Sequence, residues 1–389
     1  MKIISVVGAR PNFMKIGPLM DEMKKHQEIE SILVHTEQHY DENMSRLFFD
    51  QLKLPEPDIY LGVGSGSHAQ QTAKIMLEFE KVLIKEKPDL VIVVGDVNST
   101  IACALTASKL QIKVAHVEAG LRSFDKSMPE ETNRILTDCL SEYLFVTGKS
   151  GEINLLREGV DKNKIFFVGN VMIDTLLKHK ERANDSRILF NLGLEKEDGF
   201  NGRERRIAPF ALVTLHRPNN VDVLDNFIGI LEALEEIQQH LKIIYPMHPR
   251  TRANIEKFGL SKRFSFLDIA ESASRDSGIV ILNPLGYLDF IKLMSEAKLV
   301  LTDSGGVQEE TTVLGVSCLT LRENTERPVT VTQGTNLIVG TKKDTIVKAA
   351  LEAINATHKK MSIPEKWDGF AAKRIIDILL GIDKENCRT

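Results

Sequence analysis

Short, unbroken apolar runs alternate with longer amphipathic stretches along this chain, and most runs stop at a glycine or a polar turn. Lys2–Val7, Ile32–His35, Leu90–Val94, Lys113–Val117, Tyr143–Thr147 and Ile165–Val168 read as strands, because a sheet covered on both faces demands near-continuous Val, Ile and Leu. Between them lie helix-period segments, such as the one carrying Met14, Ile16, Leu19, Met20 and Met23. Strand–helix–strand units of this length imply parallel pairing, which brings the carboxyl ends of the strands to one edge. Asn98 is expected to cap a helix over Ser99–Leu110, and a further helix is expected around Met44–Leu52. Gly62–Ser67 imitates a phosphate loop, but no buried strand leads into it, so a mobile connection is expected there.

The alternation resumes with strands at Ala211–Leu215, Lys242–Tyr245, Ile279–Leu282, Lys298–Thr302 and Ser317–Thr320. Between the two series, Ser186–Arg206 is charged and contains glycine, which predicts a surface insertion or linker. The fold class expected is α/β, with two doubly wound parallel-sheet domains. The first spans 1–172 and is completed by the C-terminal helix within 366–389; the second spans 173–365.

Composition narrows the function. At 389 residues, 42% hydrophobic and 27% charged, with a net charge of −4, the chain has no basic footprint, and no nucleic-acid partner is expected. Cys103, Cys139, Cys318 and Cys387 are far apart without a C-x-x-C pair, so they read as reduced thiols, and no metal site is expected. No stretch approaches the ~18 apolar residues of a membrane span, and the amino-terminal run is too short for a signal peptide. A cytoplasmic protein without membrane attachment is the expectation.

Candidate chemistry gathers at strand ends. Asp96 follows Gly95 after one strand, and Glu118 closes the next beside Ala119-Gly120. In open α/β sheets, that edge binds ligands. Glu130 completes the capping box Ser127-Met128-Pro129-Glu130, so helix capping competes with chemistry as its role. Three acids on one edge would repel one another and retain at least one proton, which suits acid/base work. Arg10 and Lys15 flank the first turn; a cation at a helix amino end opposes the dipole, and an anionic ligand would justify it. That turn lacks G-x-G-x-x-G, so no NAD and no other cofactor is expected. In the second half, a strand enters Asp303-Ser304-Gly305-Gly306 and then a helix, which offers backbone N–H groups and a positive dipole end to a phosphate. Arg327, on the next loop, would supply a guanidinium. His216 and His248 each follow a strand, and His216 is read as a ligand contact.

Taken together, the segments GARPNFMKIGPL, TEQHYDENM, VVGDVNST, HVEAGLRS, MPEETNRILTD, FVGNVMIDTL, LHRPNNVD, LTDSGGVQEE and TERPVTVTQGTN resemble the non-hydrolysing UDP-N-acetylglucosamine 2-epimerases. They span Gly8 to Asn336 in the family's order. The resemblance implies a GT-B architecture of two Rossmann-like domains with the active site in the cleft between them, usually as a homodimer acting on a UDP-sugar. It also implies that Asp96, Glu118 and Glu130 are catalytic carboxylates and His216 an active-site histidine. Arg10 and Lys15 would be cleft residues near the nucleotide, Ser304, Gly305 and Gly306 the diphosphate cradle, Glu310 a ribose contact, Arg327 a further nucleotide contact, and Phe290 a neighbour of the uracil. Two departures stand out. Tyr40 and Arg217-Pro218-Asn219-Asn220 replace charged residues that many bacterial members carry, so the resemblance leaves activation by a second UDP-N-acetylglucosamine molecule open.

Overall fold

The computed structural model describes residues 1–37, 52–198, 204–262, 266–267, 277–356 and 362–381, without the side chains of Arg10, Lys196, Glu197, Asp198, Glu204, Arg205, Lys262 and Leu267. The segment 38–40 and the helix expected around Met44 lie outside the described residues. Contacts divide the chain into two units, Met1–Lys178 with Glu365–Thr389, and His179–Pro364.

The first unit is built on a parallel sheet of β1 (Lys2–Val7), β2 (Glu30–His35), β3 (Ile59–Tyr60), β4 (Leu90–Val94), β5 (Lys113–Ala119), β6 (Tyr143–Val146) and β7 (Ile165–Phe167). Among the described residues the order is β3-β2-β1-β4-β5-β6-β7, so winding reverses between β1 and β4. Successive side chains on a strand point to opposite faces, and each face here meets helices. Ile3, Ile92 and Val117 join a core with Phe13, Ile16 and Leu19, whereas Ile4, Val91 and Val93 join another with Ile75, Phe79 and Ala104. This two-sided burial is why the strands read as continuous apolar runs. The C-terminal helix Ala371–Leu380 adds Ala371, Ala372, Ile375, Ile376 and Ile378 to the first of those cores. Asp174 accepts the Ala371 and Ala372 amides at 3.2 and 2.7 Å, capping that helix from the interior.

The second unit repeats the plan with β10 (Phe210–Thr214), β11 (Lys242–Pro246), β12 (Phe266–Leu267), β13 (Ile279–Leu282), β14 (Leu299–Thr302), β15 (Cys318–Thr320) and β16 (Asn336–Ile338). Its order, β12-β13-β11-β10-β14-β15-β16, is again parallel and reverses between β10 and β14.

Several local expectations differ from the structure. The short strands β3, β12 and β16 carry only two or three residues each, too few for a periodic signal. Ser186–Arg206 is not simply a surface insertion. Leu189, Leu192 and Leu194 pack with Phe210, Ile244 and Val300, and only then does the chain form the antiparallel hairpin of β8 (Glu195–Asp198) and β9 (Glu204–Ile207). Its charged residues masked three leucines that the sheet face needed. Asn98 does not cap its helix but begins it. Its side chain instead donates to Gln71 Oε1 at 2.9 Å and pairs with His68 Nδ1 at 3.2 Å, tying two helices together. The Gly62–Ser67 stretch ends in a formed capping box, in which Ser67 and Gln70 bond each other's backbone at the start of His68–Glu86. Among the described residues, no helix is long and apolar enough to cross a membrane.

Candidate functional site

Each sheet gathers its candidate residues near the point where winding reverses, which is where doubly wound sheets bind ligands. In the first unit this is the β1/β4 junction. Asn12 bridges it, donating through Nδ2 to the Val94 carbonyl at 3.0 Å and accepting the Gly8 and Ala9 amides at 3.1 and 2.9 Å. Gly8 is required here: a Cβ would collide with Ser99 Oγ at 2.0 Å and Thr36 Oγ1 at 2.8 Å, two hydroxyls that bond each other across it.

Asp96 and Glu118 stand on the adjacent ends of β4 and β5. Glu118 occupies a bulge in the β5–β6 pairing and has a left-handed backbone, φ 77°, a conformation that is strained for any residue with a side chain. Its carboxylate is buried and paired with the equally buried Lys15 ammonium. Asp96 is 30% exposed and meets Arg134 Nη1 at 2.9 Å. The expected mutual repulsion of bare acids is therefore not the arrangement found, because a cation stands beside each of these two. Arg134 also holds Glu131, which accepts the Ser123 and Phe124 amides at 3.0 and 2.9 Å. Burial works against ionisation of Glu131, but those amides and Arg134 win and hold its carboxyl below the ordinary range.

Glu130 lies half-buried in the first turn of Pro129–Leu140. The capping box does not form. Met128 is the N-cap, one residue later than the motif requires, and Ser127 Oγ turns back to Asp125 Oδ1 at 2.6 Å. A capping box with Ser127 therefore does not account for Glu130.

In the second unit the β10/β14 junction is bridged by the fully buried Asp303. It accepts the His216 and Arg217 amides at 3.0 and 2.9 Å and Asn220 Nδ2 at 3.2 Å, and its Oδ1 lies 3.2 Å from His216 Nδ1. The His216 ring is 41% exposed. His248 takes the structural alternative, accepting the Arg250 amide at 3.2 Å as N-cap of Pro249–Lys257.

Ser304 is the N-cap of the helix Gly305–Leu314, but its side chain does not cap the helix. A Cβ on Gly305 would stand 2.3 Å from Arg327 Nη1 and 2.7 Å from its Cζ, so the guanidinium lies flat against the glycine backbone. Arg327 is held there by Glu309, 2.8 Å from Nε in an ion pair without hydrogen-bond angles, and by Glu326 at 3.4 Å. A helix amino end walled by glycine and beside a guanidinium has the donors and the charge that a phosphate-like anion would need. Glu310 is buried and accepts the Tyr287 hydroxyl at 2.8 Å. Burial, reinforced by Glu309, pushes its carboxyl up to about 7 against the opposing Tyr287 bond. Phe290 is half-buried on Tyr287–Glu296 and packs against the core that holds Leu293.

Within the first unit, the structure gathers Lys15, Asp96 and Glu118 at one edge; within the second, it gathers His216, Ser304, Gly305 and Arg327. Reading the chain missed Glu131, Arg134 and Asp303. Position was the available signal for each: Asp303 directly follows β14, Glu131 is next to Glu130, and Arg134 lies one helical turn beyond it. Among the described residues, no group of three His, Cys, Asp or Glu side chains could hold a metal ion.

Two doubly wound Rossmann-like units, each with a parallel sheet covered by helices, define a GT-B-like α/β protein. The family described as UDP-N-acetylglucosamine 2-epimerase matches residues 21–380, and the chain belongs to that family of isomerases. It is 44% identical over 385 residues to UDP-N-acetylglucosamine 2-epimerase of Methanocaldococcus jannaschii, covering 97% of this chain and 99% of the relative. It is 42% identical over 360 residues to UDP-2,3-diacetamido-2,3-dideoxy-D-glucuronate 2-epimerase of Pseudomonas aeruginosa, covering 92% and 93%. A crystal structure of the M. jannaschii UDP-GlcNAc 2-epimerase in complex with UDP-GlcNAc and UDP superposes with a TM-score of 0.86 at 42% identity, covering 98% of this chain and 100% of that one.

Proposed function

We propose that this enzyme interconverts UDP-N-acetylglucosamine and UDP-N-acetylmannosamine by eliminating UDP to a glycal and adding it back. The proton on carbon 2 of the sugar is not beside a carbonyl, so it is too weakly acidic for direct removal. Departure of UDP from carbon 1 develops oxocarbenium character there, which acidifies that proton. A carboxylate then takes it, the bond between carbon 1 and UDP breaks, and a double bond forms between carbons 1 and 2. Protonation of carbon 2 on the opposite face and return of UDP give the epimer. As written, the route calls on no metal and no redox cofactor.

One observation carries this reading: the Arg327 guanidinium flat against Gly305 at a helix amino end. A leaving group that must be retained and re-added needs such a fixed anion clamp. Ser304, Gly305, Gly306 and Arg327 are assigned to the diphosphate, Glu310 to the ribose and Phe290 to the uracil. Asp96, Glu118 and Glu130 are assigned to proton transfer, with His216, Arg10 and Lys15 at the substrate. The product would feed surface polysaccharide synthesis in the cytoplasm, with the enzyme acting as a homodimer.

Incubation with UDP-N-acetylglucosamine in heavy water, followed by NMR, tests the reaction. Deuterium at carbon 2 of both epimers, with the nucleotide sugar intact, is expected; no exchange would sink the proposal, and release of free sugar would replace it with a hydrolysing reaction. The similarity to the P. aeruginosa enzyme favours a second reading, in which the substrate is a 2,3-diacetamido uronic sugar nucleotide. Competition between the two substrates in the same assay separates them.

A further inference from the structure

A closed set of charged side chains lies behind the two strand-end carboxylates, and the proposed reaction does not use it. His116, on β5, is fully buried between two acceptors: Nε2 reaches the Gly95 carbonyl at 2.9 Å, and Nδ1 reaches Asp138 Oδ1 at 2.6 Å. Asp138 Oδ2 accepts the Gly120 amide at 3.1 Å and lies 2.7 Å from Arg122 Nη2. Arg122 in turn grips Glu158 through Nε and Nη2 at 2.8 and 2.6 Å, and Glu158 is the only one of the four with substantial exposure, at 36%.

The backbone groups this set touches are what make it more than filling. Gly95 immediately precedes Asp96, while His116 and Gly120 flank Glu118 by two residues on either side. Gly95, Glu118 and Gly120 all hold left-handed backbones, with φ of 69°, 77° and 75°. Nothing intrinsic to the chain stabilises a left-handed glutamate, so the surroundings must impose it. A Cβ on Gly120 would strike the Gly151 backbone at 2.4 Å, which closes the turn from its other side. His116 thus pins the turn that carries Asp96, and Asp138 pins the turn that carries Glu118. Because His116 and Asp138 bond each other, the two turns are fixed together.

We infer that His116 and Asp138 are positioning residues that set the placement of Asp96 and Glu118 for proton transfer, by clamping the Gly95 carbonyl and the Gly120 amide as one unit. The inference rests on the proposed epimerisation. The two partners of His116 belong to different turns, so one ring spans both, and burial strengthens the contacts because no water competes. Asp138 needs two acceptor oxygens: one for His116, one for Gly120 and Arg122. A carboxamide supplies only one, and its amino group would face donors. Reacting groups displaced by about 1 Å lose on the order of a hundredfold in rate even when the substrate still binds.

The test is Asp138→Asn, read as kcat for deuterium exchange at carbon 2, KM for the nucleotide sugar, UDP affinity and melting temperature. A fall in kcat of about a hundredfold, with KM and UDP affinity within about threefold of the parent, is expected. A folded variant with kcat within twofold of the parent overturns the inference, as does a loss of kcat that merely tracks the fraction of protein able to bind UDP. Should Asp138→Asn fail to fold, Glu158→Gln at the exposed end of the set takes its place. It loosens Arg122 and is expected to lower kcat about threefold at unchanged KM and melting temperature, and an unchanged kcat overturns the inference. Absence of exchange in the parent enzyme would instead refute the proposed reaction itself.

Discussion

Gly305 lies flush against the Arg327 guanidinium, leaving no room for even a methyl group between the helix amino end and the cation. Gly305→Ala is therefore expected to push Arg327 aside and weaken UDP binding by about tenfold or more, the scale of one charge-assisted hydrogen bond. The helix itself should survive, since alanine is the better helix former. Calorimetric titration with UDP beside a melting curve checks both halves; unchanged affinity would remove Arg327 from the anion site.

Lys15 and Glu118 form a buried ion pair between residues 103 apart in the chain. Lys15→Met takes the ammonium away from a buried carboxylate and is expected to destabilise the first unit by roughly 3–5 kcal/mol. Adding Glu118→Gln removes the charge as well and should restore much of that loss without restoring turnover. If denaturant melts show the double variant no more stable than Lys15→Met alone, the pair is not what holds this edge.

Glu130 has no capping box to complete, because Ser127 is spent on Asp125 and Met128 is the N-cap. Glu130→Gln is accordingly expected to leave the melting temperature within about 1–2 °C of the parent, since no cap worth about 1 kcal/mol is lost. Turnover should fall by at least about a hundredfold, as for loss of a general acid or base. Full activity in this variant would withdraw Glu130 from the proton-transfer set.

His35 is buried between Phe13 and Tyr60, with ring centroids at 5.2 and 5.8 Å, and among the described residues neither ring nitrogen has a hydrogen-bond partner. Burial lowers its pKa from 6.5 to about 4. The folded state thus favours the neutral ring, so the stability this adds is complete above pH 6.5 and drains away as pH falls toward 4. His35→Phe should flatten that part of the curve of melting temperature against pH. An unaltered slope between pH 6.5 and 4 would assign the acid sensitivity elsewhere.

Much of the frame was legible in the chain because its determinants are local. A strand buried on both faces announces itself as in Leu90–Val94, and a glycine after it marks where the edge turns outward. Asp96 and Glu118 could be found by that rule alone. The leucines of 189–194 could not, since nearby charges hid them and only their packing beside Phe210 reveals their role.

By itself the sequence determined two series of parallel strands, the acids at the strand ends of one and the glycine-rich helix start of the other. Tertiary structure alone decided that winding reverses at β1/β4 and β10/β14, which cation accompanies which acid, and that Arg327 lies on Gly305. The physical reason is range. Period, turn and cap preferences act over a few residues, whereas charge pairing and burial join residues far apart in the chain, as with Lys15 and Glu118, and no local rule specifies such partners.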